Sequence, residues 1–83
     1  MYRLEISHIA HGQIAALPPR MIQRINEAIA GLANEPRPVG ARKLMVIEGY
    51  RIRVGDYRVL YIVNDASRLI TVYRVKHRRE AYR

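Results

Sequence analysis

Hydrophobic and polar positions change period along the chain, from two to about 3.6 and back to two. Tyr2-Arg3-Leu4-Glu5-Ile6 alternates and predicts a first strand with Tyr2, Leu4 and Ile6 on one face. Ser7 is placed to cap a helix running to about Leu17, with Ile9, Ala10, Ile14 and Leu17 as its apolar stripe. Gly12 weakens that helix, and Pro18-Pro19 ends it and opens the next. From about Pro19 to Asn34, Met21, Ile22, Ile25, Ala28, Ile29 and Leu32 recur at helical spacing, the strongest periodic signal in the chain. Glu35-Pro36-Arg37-Pro38-Val39-Gly40 forbids continuation. A short irregular piece follows from Arg42 through Gly49. Alternation then returns in two runs flanking Gly55-Asp56, which predicts a hairpin with a two-residue turn. Asn64-Asp65-Ala66-Ser67 predicts another turn, and Leu69–Val75 a last strand with an apolar run suited to a central position.

The order is therefore β-α-α-β-β-β. It predicts an α+β fold in which an antiparallel sheet of about four strands carries an N-terminal helical pair on one face. No repeat, low-complexity tract or linker divides residues 1–83, so a single domain is expected.

The hairpin brings cations together. A two-residue loop sets Val54 opposite Tyr57 and Arg53 opposite Arg58. Tyr50, Ile52, Val54, Tyr57, Val59, Tyr61 and Val63 then share one face, and Arg51, Arg53 and Arg58 the other. Directly opposed like charges destabilise a sheet, and a bound polyanion would offset that cost. Charge distribution adds to this picture. Residues 1–36 hold three basic and three acidic side chains, so the formal net charge of +8 belongs wholly to the remainder of the chain. Thirteen of the fifteen basic residues are arginine, which suits bidentate phosphate contact and stacking on bases. A solvated basic face is the plainer reading, but a pI near 10.6 in so small a domain favours nucleic acid or an acidic protein as partner.

Several function classes fall away. The absence of cysteine excludes disulfides, thiolate metal sites and cysteine catalysis, and fits a reducing compartment. No signal peptide or membrane-length apolar run is visible, so a cytoplasmic protein is expected. There is no glycine-rich phosphate loop, carboxylate pair or Ser–His–acid pattern. His8 and His11 lack a third ligand and read as solvated or capping residues, so neither a metal nor a cofactor is expected.

What is left is the arginine face with His77, Arg78 and Tyr82. RNA phosphodiesters can be cut without a metal if the 2′-hydroxyl is aligned, cations stabilise the developing charge, and protons are transferred. Arg51, Arg53 and Arg58 would supply charge. Arginine is a poor base, whereas histidine is the side chain that moves protons near neutral pH, which points to His77. Tyr82 would stack on a base or orient a hydroxyl. Each has a structural reading too. Arg51 and Arg53 fit the wet face of a strand, His77 a strand end, and Tyr82 a packing anchor; Tyr50, Tyr57 and Tyr61 have core parity.

These residues resemble the RelE branch of the RelE/ParE toxin superfamily over nearly the whole chain. The resemblance rests on Leu32-Ala33-Asn34-Glu35-Pro36-Arg37, Lys43-Leu44, Tyr50–Tyr61 and the closing Val75–Arg83. It implies a toxin of a type II toxin–antitoxin system that cleaves mRNA in the ribosomal decoding site and is neutralised by an acidic, RelB-like antitoxin. It also implies that Arg58 contacts the scissile phosphate, that Arg78 serves as general acid or phosphate ligand, and that Tyr82 stacks in the site. Lys43, Arg51 and Arg53 fall on basic, RNA-binding positions. At Arg51 and Arg53 the family's best-studied pattern has lysines, one of them a proposed general base; arginine does not fill that role readily, which leaves either His77 as base or acid or a catalysis that is mostly electrostatic and slow. Two other readings stay open: a ParE-like toxin acting on DNA gyrase without nuclease activity, and a non-catalytic basic RNA-binding module.

Overall fold

The computed structural model describes residues 1–80, so Tyr82 lies outside the described residues. The elements are β1 (Arg3–Ile6), α1 (His8–Ala15), α2 (Pro19–Leu32), β2 (Arg42–Lys43), β3 (Tyr50–Val54), β4 (Tyr57–Asn64) and β5 (Leu69–His77). The helical pair covers one face of a five-stranded sheet of order β1-β5-β4-β3-β2. The sheet differs from the expected one in two respects. Arg42–Lys43 pairs with β3 as a fifth strand, and β1 runs parallel to β5, so the sheet is mixed rather than antiparallel throughout. The parallel pair arises because the helices carry the chain away from β1, and only its last strand returns beside it.

Local chemistry sets the helices. Ser7 Oγ accepts from the Ala10 amide at 3.1 Å, and α1 buries Ala10 and Ile14, one turn apart. Ile9 lies off that line and is exposed, unlike the stripe expected for it. The longer α2 buries Ile25, Ile29 and Leu32. These meet Ile52, Val59, Tyr61, Ile70 and Val72 from the sheet to form the core. No described helix is long and apolar enough to cross a membrane.

Tyr61 is fully buried and donates from its hydroxyl to the Pro36 carbonyl at 2.7 Å. Burial pushes this hydroxyl up to about 12, with Arg37 opposing and Tyr50 adding to the shift. An ordinary tyrosine titrates near 10, so the folded state retains a proton that the unfolded chain releases. The resulting stability is complete below about pH 10 and is lost as pH rises towards 12. Tyr61→Phe should flatten part of this alkaline limb in denaturant titrations at pH 9 to 12.

Gly49 illustrates a local requirement. Its φ is +123°, and a Cβ there would lie 2.6 Å from the Tyr61 carbonyl oxygen. Gly49→Ala should destabilise by roughly 1–3 kcal/mol from backbone strain alone, read as a lower denaturant midpoint with unchanged slope. Nearby, Arg37 Nη2 contacts Asp65 Oδ2 at 2.9 Å and its Nε donates to the Tyr50 hydroxyl at 3.0 Å, fastening the α2–β2 connection to the turn after β4. Arg37, with the Tyr2 hydroxyl behind it, holds the Asp65 carboxyl below the usual carboxylate range.

One irregularity decides the outer face of the sheet. Leu60 pairs with Arg74 while Tyr61 pairs with Val72, so Tyr73 is an extra residue, a β-bulge. Helix α1 receives the displaced backbone: Ser7 Oγ donates to the Tyr73 carbonyl and Gln13 Oε1 accepts from the Val75 amide. Beyond the bulge the parity of β5 is reversed. Val75 turns to the core, and Arg74 and Lys76 turn to the face that bears the hairpin arginines.

Candidate nucleic-acid interface

Strand pairing assembles a basic grid on the sheet face opposite the helices. Gly55, at φ +60°, makes the tight turn between β3 and β4 and thereby sets Arg53 against Arg58. On the other side of β4, Arg58 pairs with Lys76, giving a row Arg53–Arg58–Lys76 across three strands. The adjoining row is Arg42–Arg51–Leu60–Arg74. Even at the dielectric of water, neighbouring unit charges repel by on the order of 1 kcal/mol. Such a row of like charges across three strands is suited to receiving an anion.

Arg58 stands at the centre and is only 6% exposed. Two clefts, each of about 360 Å³, open on either side of it. The first is lined by Arg53, Gly55, Asp56, Arg58, Arg78 and Arg79. The second is lined by Arg51, Arg58, Lys76, Leu60 and the loop residues Leu44, Val46 and Ile47. Arg78 reaches the first cleft because the chain leaving β5 continues alongside the hairpin turn: its amide donates to the Asp56 carbonyl at 2.7 Å, and its Nε stands 3.8 Å from Asp56 Oδ1.

The structure thus brings together Arg51, Arg53, Arg58 and Arg78. It does not bring His77 to them in the way expected. His77 pairs with Tyr57, whose parity is that of the core, and their rings meet edge to face at 5.2 Å. Its Nδ1 accepts from the Arg79 amide at 3.2 Å, which in the neutral ring leaves the proton on Nε2. The cause is the Tyr73 bulge: uninterrupted alternation from Val72 would have set His77 on the arginine face. Lys43 also sits apart. It pairs with Tyr50 and lines a smaller cleft with Arg37 and Glu48. Sequence reasoning missed Arg42, Arg74 and Lys76. A signal for the last two was present, since Val72 and Val75 can both face the core only if the strand changes parity between them.

A compact α+β domain with a basic, open sheet face allows comparison with known families. The family model for the ParE toxin of type II toxin–antitoxin systems matches residues 4–82. The chain belongs to the RelE/ParE toxin superfamily. Within it, this toxin is of the RelE type. It is 32% identical to toxin RelG of Mycobacterium tuberculosis over 84 residues, covering 99% of this chain and 97% of that protein. Toxin RelE of the same organism is 31% identical, over 92% of this chain and 89% of that one. Among solved structures, a chain of the archaeal RelE–RelB complex from Pyrococcus horikoshii superposes with a TM-score of 0.81 at 30% identity, covering 93% of this chain and 94% of that chain.

Proposed function

We propose that this toxin is a ribosome-dependent endoribonuclease that cuts mRNA without a metal ion, and that an acidic, RelB-like antitoxin neutralises it. The observation that carries the reading is the Arg53–Arg58–Lys76 row with Arg78 and Arg79 drawn over its end. In the reaction the 2′-oxygen forms a bond to phosphorus while the bond to the 5′-oxygen breaks. The 2′-hydroxyl proton is released, and the leaving oxygen takes one up. Negative charge grows on the non-bridging oxygens between these events. A set of guanidinium groups fixed by strand pairing stabilises that charge with little reorganisation, and supplies electrostatically what a metal ion supplies in other nucleases.

Arg58 is assigned to the scissile phosphate, being shared by both clefts. Arg78 acts beside it as phosphate ligand or proton donor to the leaving oxygen. Arg51, Arg53 and Lys76 hold the flanking backbone, and Tyr82 stacks on a base. His77 serves from the rim, through its contact with the Arg79 amide, rather than as base against the 2′-hydroxyl. Lys43 contributes at a distance to RNA attraction. Dependence on the ribosome is in keeping with the openness of the face, whose clefts among the described residues are lined chiefly by phosphate-binding cations, so that the ribosome presents the mRNA to it. The antitoxin reading is supported by the RelE–RelB complex of the archaeal relative and by the charge of +8, which an acidic partner would offset.

A second reading takes its support from the family description, which names ParE: a toxin acting on DNA gyrase without cutting RNA. Brief expression in a bacterial host separates the two. Growth arrest with translation-dependent mRNA cuts, relieved by the co-expressed antitoxin, is expected. Arrest with intact mRNA and induction of the DNA-damage response would overturn the nuclease reading in favour of the second.

A further inference from the structure

Among the described residues, the cleft at the hairpin turn is lined by four arginines and a single carboxylate, Asp56. On charge alone that carboxylate opposes anion binding, and its place in the hairpin turn does not itself require a charge, so the charge calls for another explanation. Two contacts supply it. The Asp56 carbonyl accepts from the Arg78 amide at 2.7 Å, and Asp56 Oδ1 stands 3.8 Å from Arg78 Nε. Together they tie the segment after β5 to the turn between β3 and β4, and bring Arg78 to the cleft that Arg58 lines.

An ion pair in which both side chains are 65% exposed contributes little to folding. Its consequence is orientation. At 3.8 Å the carboxylate is beyond hydrogen-bond reach of Nε and acts through charge, favouring the side-chain conformers that keep the Arg78 guanidinium over the turn while its five donors stay available to a phosphate. We propose that Asp56 is a positioning residue of the site, holding Arg78 beside Arg58 before RNA arrives. This rests on the nuclease reading above.

The proposal separates binding from chemistry. Removing the carboxylate makes the cleft more positive, so RNA should bind as well or better. The same change frees Arg78 to leave its aligned geometry, so the chemical step should slow. Asp56→Asn keeps size and main-chain bond and removes only charge. On ribosomes carrying a synthetic mRNA, Asp56→Asn should lower kcat about tenfold or more while KM stays level or falls. Asp56→Glu, retaining charge, should keep most of the rate. In an Arg78→Ala background Asp56→Asn should cost no further rate, because the residue acts through Arg78. A purely structural role would instead lower the melting temperature and raise KM in both backgrounds. An unchanged kcat, or an equal loss with and without Arg78, would overturn the positioning role. A wild-type protein that leaves the mRNA intact would overturn the nuclease reading itself, before any variant is compared.

Discussion

Arg58→Ala should reduce mRNA cleavage by about 100-fold or more, the scale found when a preorganised donor to a developing oxyanion is removed. Among the described residues Arg58 alone is shared by both clefts, and Arg53 and Lys76 flank it from the neighbouring strands. Because it is 6% exposed, truncation to alanine also removes packing from its aliphatic stem. Arg58→Met separates the two effects, since methionine fills much of the stem's volume without the charge. Both variants should lose cleavage, and Arg58→Met should melt close to the wild type. Loss of activity only in the variant that loses stability would assign Arg58 to packing rather than chemistry.

Tyr61→Ala should have the largest effect on the fold, about 3–5 kcal/mol, as for other buried aromatic truncations. The ring is fully buried, stacks on Tyr50 at 6.0 Å between centroids, and its hydroxyl reaches the Pro36 carbonyl. The substitution therefore opens a cavity in the core and detaches the connection leading to β2. A domain of this size has roughly 5–15 kcal/mol of stability in total, so the variant should approach the unfolding threshold. Tyr61→Phe keeps the ring and loses one hydrogen bond, costing about 1 kcal/mol at neutral pH. Urea titration of the pair should reproduce that ordering, and similar midpoints would show that the core repacks around the gap.

The hairpin was legible because its geometry is local. Gly55-Asp56 leaves one register open to the flanking runs, and Arg53 opposite Arg58 follows from it. The long period of α2 was legible for the same reason. Three features depended on partners distant in sequence. Arg42–Lys43 is too short to show a period and becomes a strand only by lying beside β3. The parallel pairing of β1 with β5 is set by where the helices release the chain. The Tyr73 bulge is stabilised by Ser7 and Gln13, more than 60 residues away in the chain. That bulge exchanged His77 for Lys76 on the basic face, so the candidate site was legible as a set of arginines but not in its complete membership.

The nuclease account is tested most directly by primer extension on a reporter mRNA translated by purified ribosomes, with wild-type protein and with Arg58→Met. Discrete cuts that require translation, and that disappear with Arg58→Met although the variant is folded, are the predicted result. An intact message in the presence of folded wild-type protein, or cuts undiminished in the variant, would contradict it.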